Sequence, residues 1–318
     1  MIKEEKLIIK GSINIGATIS YLDKDNKKPL VVLLMGTGTT DHDGNTKKFK
    51  TNFYKNLSDI FVSIGCVTIR YDKRGTHEST GNYKIAGLSD LVEDAVSVIN
   101  YGKNLEYVDS NWVIVCGHSE GAMIATLLTK KVEVNGLLLL GGAGTSMKSA
   151  LIYQNLLVLK QYENKKGFIA WYLKKVLTRE KIEKQFNDLF KKAEKSKKER
   201  YFFNGALFNT KYMREHGSLT DECFTNILNN YSGKVLAITG TADLNTDYHS
   251  LEKLNSNFKT FVPQNVNHIL RKIDGDNDIM RAKQQYKRLS KEDIDKQTKD
   301  TIISWIKETI WKMILKNY

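Results

Sequence analysis

Proline, cysteine and long apolar runs are scarce in this sequence of 318 residues, which contains two prolines and three cysteines. Cys66 and Cys116 lie in apolar runs, and Cys223 is isolated. No Cys-x-x-Cys pair or Cys/His spacing suggests a metal site. No apolar run approaches the length needed to cross a membrane, and the N-terminal residues lack the apolar core of a signal peptide. These absences predict reduced thiols, no metal or other cofactor, no membrane span and a cytoplasmic location.

The composition that remains is that of a folded but basic protein. Hydrophobic residues make up 41% of the chain, so disorder is not expected, and the net charge is +13 at pH 7. The charge is compatible with an anionic partner, but it also accompanies a composition rich in Lys and Asn. Because no nucleic-acid-binding motif is present, we expect no nucleic acid as a partner. The length suits one large α/β domain, with or without an insertion, and leaves the oligomeric state open.

The strongest motif is Gly117-His118-Ser119-Glu120-Gly121. It lies between an apolar run at residues 112–116 and a helical start of small residues. Gly-x-Ser-x-Gly between a strand and a helix is typical of a nucleophile elbow, a strained turn that projects a serine hydroxyl beyond the sheet. The glycines leave room where strand and helix pack closely. The N-terminus of the following helix favours developing negative charge near the serine.

Around this motif, strand and helix patterns alternate. A loose alternation at residues 6–23 predicts an antiparallel hairpin. Continuous apolar runs predict buried strands at residues 30–35, 66–71, 112–116, 134–140, 234–239 and 258–262. Helical spacing predicts amphipathic helices at residues 47–64, 88–105 and 294–315. This order predicts a doubly wound α/β fold, with a mostly parallel central sheet and helices on both faces.

The alternation stops over residues 145–230, which show helical stretches and no convincing strand. This segment holds 17 Lys and Arg against 9 Asp and Glu, so eight of the thirteen net charges lie in it. We predict that residues 145–230 form a helical cap, or lid, inserted into a core domain of residues 1–144 and 231–318. Its many aromatic side chains are expected to pack against the main domain rather than to line a ligand site.

Two further motifs give the chain a family resemblance. Gly36-Thr37-Gly38 with Asp41-His42-Asp43-Gly44 follows one buried strand, and Arg70-Tyr71-Asp72-Lys73-Arg74-Gly75 ends another. With the elbow, they resemble the α/β-hydrolase superfamily of serine hydrolases. More narrowly, they are similar to bacterial esterases related to dienelactone hydrolases and serine aminopeptidases. Members usually show His-Gly-Ser-Gly-Pro-x-Asp-Arg-Asp-Gly at the first motif, where Met35 here replaces the His and Thr39 the Pro.

The resemblance implies a nucleophile, an acid and a base in the chain order Ser, Asp, His. Ser119 is then the nucleophile. His268 follows the last strand, where the superfamily places its base, whereas His249 lies in a helical stretch and suits a structural or surface role. Asp243 follows the penultimate strand and is the predicted acid. Asp247 would lie at a helix start, where a carboxylate is a routine stabiliser.

The remaining site residues follow from the same resemblance. The backbone N–H groups of Thr37 and Glu120 are expected to form the oxyanion hole. Asp72 and Arg74 are expected to brace loops beneath the site. His118 is expected to point away from the reaction and to take no part in it.

The leading hypothesis is therefore hydrolysis of a carboxylic ester or thioester of a small molecule through an acyl-enzyme on Ser119. A peptidase that removes N-terminal residues is the alternative within hydrolases. It would need an acidic anchor for the substrate amine, and Glu163, Asp221 and Glu222 are candidates. Two other possibilities are a non-catalytic binding protein that keeps the fold and an anion-binding role for the basic insertion.

Overall fold

An eight-stranded sheet forms the centre of the protein. The computed structural model describes residues 1–47 and 49–314. Its strands are β1 (Lys3–Lys10), β2 (Asn14–Tyr21), β3 (Lys28–Leu34), β4 (Val67–Tyr71), β5 (Val108–His118), β6 (Gly136–Leu140), β7 (Arg200–Phe203), β8 (Ala206–Asn209), β9 (Lys234–Ile238) and β10 (Lys259–Phe261). All but β7 and β8 join the central sheet, in the order β1-β2-β4-β3-β5-β6-β9-β10. Pairing is antiparallel from β1 through β2 to β4 and parallel from β4 to β10, so the predicted mostly parallel sheet and hairpin are confirmed.

Helices cover both faces of this sheet. They are α1 (Phe53–Ser63), α2 (Leu88–Lys103), α3 (Glu120–Leu128), α4 (Met147–Tyr162), α5 (Phe168–Val176), α6 (Arg179–Lys195), α7 (Thr210–Gly217), α8 (Asp221–Asn229), α9 (Ala282–Leu289) and α10 (Lys296–Ile314), with short 3-10 helices at Tyr248–Lys253 and Ile279–Arg281. Leu315, the last residue of the predicted closing helix, lies outside the described residues. Among the described residues, no helix is both long and apolar enough to pass through a membrane.

Strand β3 shows why the central strands are apolar throughout. Successive side chains of a strand point to opposite faces, and both faces here are covered by helices. Leu30, Val32 and Leu34 enter the core shared with α2 and α3. Val31 and Leu33 enter the core shared with α1 and α10. All five are at most 1% exposed, so a polar residue at any of them would lose its hydration.

The start of α1 differs from the prediction of a helix over residues 47–64. The helix begins at Phe53, and Asn52 before it has a left-handed backbone with φ 47°. A side-chain hydrogen bond explains why the helix starts later than predicted. Asn45 Oδ1 accepts the Asn52 N–H at 2.9 Å and joins the two ends of a loop. Thr51 Oγ1 donates to the Gly44 carbonyl at 2.7 Å and closes the same loop. Lys48 of the predicted stretch lies outside the described residues.

The segment between β6 and β9, called the insertion below (residues 145–230), is helical but not entirely so. The prediction that it contains no strand is wrong, because β7 and β8 pair as an antiparallel hairpin. The expectation that its aromatics pack against the main domain is also wrong for several of them. Phe186, Phe190 and Tyr201 are buried with Ile182 and Met213 in a small core of the insertion itself. The amphipathic helix α6 supplies one side of this core and the hairpin another, so the segment buries apolar surface of its own.

Candidate active site

The turn that carries Ser119 joins β5 to α3. Ser119 has φ 56° and ψ −120°, a backbone conformation that costs free energy in a residue with a side chain. The flanking glycines are sterically required. A Cβ at Gly117 would lie 2.3 Å from the Gly121 carbonyl oxygen, and a Cβ at Gly121 would lie 2.1 Å from that of Leu34. The predicted elbow geometry is therefore present, with Ser119 half-buried at its tip.

Asp243 and His268 lie in the loops that follow β9 and β10. The Asp243 Oδ2 atom is 2.8 Å from His268 Nδ1. Asp243 also accepts the N–H groups of Asn245 and Thr246 at 2.7 and 3.0 Å and the Thr246 hydroxyl at 3.0 Å. Because an ionised carboxylate only accepts, the shared hydrogen belongs to Nδ1, and Nε2 of His268 is left as a proton acceptor. Gly141, with φ 59°, makes room for this pair, since a Cβ there would lie 2.9 Å from His268 Nδ1.

One cavity of about 840 Å³ brings most of the predicted site residues together. Ser119, His268, Thr37 and Glu120 all line it, and Asp243 lies behind His268. The insertion lines the other side of the cavity with apolar side chains from α4, α6, the β7–β8 hairpin and α7, among them Met147, Leu151, Phe186, Leu189, Phe203, Phe208 and Met213. The cavity therefore has a polar end at the sheet and an apolar end in the insertion.

The expectation that His118 points away from the site is wrong, because His118 lines the cavity and connects the loop after β10 to α1. Its Nε2 lies 2.8 Å from the His268 carbonyl oxygen, and its Nδ1 lies 3.0 Å from the Tyr54 hydroxyl. A carbonyl only accepts, so Nε2 carries the hydrogen and Tyr54 donates to Nδ1. The Tyr54 oxygen in turn accepts the Gly36 N–H at 2.8 Å. Burial of the ring, with a smaller contribution from His268, lowers the pKa of His118 to about 3, so it is neutral at pH 7.

Glu120 forms a second buried network at the elbow. Its carboxylate lies 2.7 Å from Lys73 Nζ, 2.5 Å from the Tyr212 hydroxyl and 3.4 Å from His216 Nε2. Lys73 Nζ also donates to the Gly36 carbonyl at 2.6 Å. Burial alone would raise the pKa of Glu120, but Lys73 and His216 hold it well below its usual range. Tyr212 and His216 belong to α7, so this carboxylate ties the insertion to the elbow.

Asp72 and Arg74 brace loops, but with separate partners. Asp72 Oδ1 accepts the backbone N–H and the ring Nδ1 of His42 at 2.8 and 3.0 Å. Arg74 Nη2 and Nε lie 2.6 and 2.7 Å from the carboxylate oxygens of Asp94 on α2. Asp72 thus secures the loop after β3, and Arg74 secures the loop after β4.

The competing acids and histidine lie elsewhere. His249 is exposed and contacts Glu252 at 2.8 Å, while Asp247 caps the 3-10 helix by accepting the His249 N–H at 3.1 Å. The three candidate amine anchors, Glu163, Asp221 and Glu222, do not line the cavity. Within the described part of the chain, no group of three or more His, Cys, Asp or Glu side chains is arranged to hold a metal ion.

Two functional candidates were missed at the level of sequence. Tyr54 lies 64 positions from His118, and Tyr212 lies 92 positions from Glu120. Only the tertiary fold brings each of these hydroxyl groups to the site. No local spacing signals such a pair.

Comparisons with known proteins show the family and the fold of the chain. The sequence profile of the family described as serine aminopeptidase, S33, matches residues 49–260, about two thirds of the chain. Esterase EstD of Thermotoga maritima is 29% identical over 112 residues, which cover 35% of this chain and 26% of EstD. The match therefore spans about a quarter of the length of that curated relative.

Solved structures of low sequence identity share the fold. Est1E from Butyrivibrio proteoclasticus is similar with a TM-score of 0.57 at 15% identity, over 98% of this chain and 99% of Est1E. Alpha/beta hydrolase domain-containing protein 10 from mouse is similar with a TM-score of 0.55 at 14% identity, over 97% of this chain and 99% of the mouse chain. The fold is thus the α/β-hydrolase fold, and by the profile match the chain belongs to the serine aminopeptidase S33 family of α/β-hydrolases.

Proposed function

We propose that this protein is a serine hydrolase that cleaves a carboxylic ester or thioester through an acyl-enzyme on Ser119. The observation that carries the proposal is the 2.8 Å bond between His268 Nδ1 and Asp243, made at the cavity that Ser119 also lines. This bond leaves His268 Nε2 as the acceptor that a serine nucleophile needs. The esterase relationship of the sequence supports the same reaction class.

In the proposed reaction, Ser119 Oγ attacks the carbonyl carbon of the substrate while His268 Nε2 takes the hydroxyl proton. The backbone N–H groups of Thr37 and Glu120 receive the negative charge that develops on the carbonyl oxygen. The carbon–oxygen or carbon–sulfur bond then breaks, and the leaving alcohol or thiol takes the proton from His268. Water repeats the sequence on the acyl-enzyme and releases the carboxylic acid, and Asp243 stabilises the imidazolium in both halves.

The cavity favours an ester over a peptide with a free N-terminus. Among the described residues that line it there is no Lys or Arg, and the one carboxylate is that of Glu120, already paired with Lys73 at 2.7 Å. A protonated amine would therefore find no free carboxylate among them. The apolar side chains from the insertion suit the hydrocarbon part of an acyl group instead.

We further propose that residues 145–230 act as a lid on the core formed by residues 1–144 and 231–318. The support is that Tyr212 and His216 of α7 contact Glu120, next to the nucleophile, while α4 and α6 line the cavity. On this proposal the insertion determines which acyl groups enter.

A fluorophosphonate probe tests the proposed nucleophile. We expect the unmodified protein to become labelled and Ser119→Ala to remain unlabelled. Ser97→Ala is the matched control, since its hydroxyl bonds only within α2, to the Glu93 carbonyl at 3.0 Å. Labelling that persists in Ser119→Ala, or no labelling of the unmodified protein, would exclude this mechanism.

A substrate panel then separates the two hydrolase classes. We expect turnover of p-nitrophenyl esters of medium acyl length and little turnover of aminoacyl p-nitroanilides. The reverse preference would favour the aminopeptidase. If the probe labels Ser119 but neither substrate class is turned over, the protein does not hydrolyse these substrates.

A further inference from the structure

Helix α5 presents an apolar face that the rest of the described chain does not cover. Phe168, Ile169, Trp171 and Tyr172 are 77%, 64%, 55% and 51% exposed, whereas Ala170 between them is 2% exposed. At about 100° per residue, the four exposed side chains fall within an arc of roughly 160°, and Ala170 lies opposite. The helix therefore packs through one side and displays aromatic and aliphatic surface on the other.

The chain around this face is strongly basic. Residues 160–181 contain seven Lys and Arg and two Asp and Glu. Lys165 pairs with Asp278 at 2.9 Å, but Lys166 and Lys175 are exposed. The Lys175 ammonium lies 5.2 Å from the centre of the Trp171 ring, so positive charge lies directly beside the apolar face.

We propose that α5 and its flanking lysines bind the surface of an anionic lipid bilayer. Trp and Tyr favour the boundary between lipid headgroups and acyl chains, where the ring is buried and its polar atom stays hydrated. Lysines beside such a face add attraction to anionic headgroups. Exposed apolar patches mark contacts with membranes or with other proteins, and the lysines that flank this one favour an anionic lipid surface.

Helix α4 links this surface to the cavity. Helix α5 contacts α4, and Met147, Ala150 and Leu151 of α4 line the cavity. The lipid contact is thus one helix away from the residues that surround a bound acyl group. The inference goes beyond the proposed hydrolysis and does not depend on it.

Vesicle flotation of the Ser119→Ala protein tests the proposal with hydrolysis excluded. The probes are vesicles of phosphatidylcholine alone and of phosphatidylcholine with about 30% phosphatidylserine. We expect the protein to float with the anionic vesicles, to be released by salt, and to remain free of the neutral ones. Trp171 should report the contact as a blue shift of tryptophan fluorescence.

Two double substitutions locate the contact on α5. Phe168→Ser with Trp171→Ser removes apolar surface, and Lys166→Gln with Lys175→Gln removes charge. Each should lower the partition onto anionic vesicles about tenfold or more. The matched controls are Phe202→Ser, at a side chain 61% exposed on the hairpin, and Lys191→Gln with Lys195→Gln on α6; both should bind as the parent does. Thermal unfolding confirms that each variant is folded.

Three results would overturn the proposal. Absence of flotation with both kinds of vesicle is the first, and equal binding by the parent and the Phe168/Trp171 variant is the second. The third is a concentration-dependent dimer, without lipid, that the same variant abolishes, because it would assign the face to a second copy of the chain. None of these measurements depends on catalysis, so failure of the lipid proposal can be distinguished from failure of the proposed role of Ser119.

Discussion

At the scale of single residues, Asp243 stands out because four hydrogen bonds converge on its carboxylate. Three of them, from Asn245 and Thr246, fix the carboxylate, and the fourth fixes the His268 ring. Replacing one oxygen of such a carboxylate by an amide NH₂ group disfavours the tautomer that a general base requires.

We expect Asp243→Asn to lower kcat for ester hydrolysis by about ten-thousandfold and to change KM little. Steady-state kinetics with a p-nitrophenyl ester measure both. Asp247→Asn is the matched control, because this carboxylate caps a 3-10 helix. Equal losses in the two variants would contradict the role proposed for Asp243.

His118 should make the stability of the protein depend on pH. Its pKa is about 3 in the fold, with burial as the main cause, against about 6.5 in the unfolded chain. Between these values the unfolded chain binds more protons, so the free energy of unfolding falls as the pH is lowered. From pH 6.5 to pH 5 this residue should contribute a loss of about 2 kcal/mol.

Urea unfolding of the unmodified protein and of His118→Gln, each near pH 7 and pH 5, measures this contribution. The variant should be less stable near neutral pH, because it disturbs the bonds to Tyr54 and to the His268 carbonyl. It should also lose less stability on acidification. The same pH dependence in both proteins would show that the fold does not lower the pKa of His118.

Tyr54→Phe tests whether this chain of bonds positions the site. The substitution removes the acceptor of the Gly36 N–H, next to Thr37, and the donor to His118. We expect kcat to fall severalfold at nearly constant KM. Tyr231→Phe is the control, since its hydroxyl donates to the Val134 carbonyl at 2.7 Å and does not line the cavity. Each lost hydrogen bond should lower the free energy of unfolding by about 1 kcal/mol. Equal values of kcat and KM in the two variants would show that Tyr54 has a structural role alone.

At the scale of secondary-structure elements, the alternation of apolar runs and amphipathic spacing predicted the central sheet and its helices. The reason is that a strand buried on both faces is apolar at nearly every position, as in β3, and this apolar run is visible in the sequence. The sequence pattern failed at α1, where Asn45 and Asn52 bond across a loop, and at the β7–β8 hairpin. In both places the structure depends on a contact that the helix or strand repeat of the sequence does not show.

The positions of the elbow, Asp243 and His268 were predictable, because the chain order of the family and the ends of the strands mark these residues. Tyr54 and Tyr212 were not predictable, because neither feature marks them.

Helix α7 and the elbow helix α3 are joined by the carboxylate of Glu120. We expect Glu120→Gln to destabilise the protein by about 3 kcal/mol or more, because it leaves the Lys73 ammonium buried without its anion. The double variant Glu120→Gln with Lys73→Met should recover much of this loss. Urea unfolding measures both.

An exposed ion pair offers the matched control for that experiment. Lys184 and Asp188 pair at 2.7 Å on the surface of α6, with side chains 75% and 48% exposed. Asp188→Asn should change the free energy of unfolding by less than about 1 kcal/mol. If Glu120→Gln were equally mild, the buried network would not hold the insertion in place.

At the scale of the whole molecule, positive charge and the cavity are separated. The net charge is +13, yet the described residues that line the cavity include no Lys or Arg. The insertion carries eight of the thirteen net charges, and the Lys and Arg residues described in it lie outside the lining of the cavity. The cytoplasmic location stays a prediction, with Cys66, Cys116 and Cys223 unpaired.

This separation predicts that salt weakens the proposed binding to anionic vesicles but hardly changes ester hydrolysis. For a neutral soluble ester, kcat/KM should change less than about twofold between roughly 50 and 500 mM NaCl, since the described residues that line the cavity include no cationic side chain that salt would screen. Steady-state kinetics across this range measure the effect. A steep fall with salt would place a charged group of the protein in contact with the substrate.

The topology also sets the order in which the proposed catalytic residues are synthesised. Ser119 emerges from the ribosome before the insertion, whereas Asp243 and His268 emerge after it. His118 and His268, which touch in the finished site, are 150 positions apart. At about 5 to 20 residues per second, roughly ten to thirty seconds of translation separate them. On the proposed mechanism, the nascent chain carries Ser119 without its base throughout that interval, so Ser119 cannot hydrolyse an ester until the loop after the final strand is made.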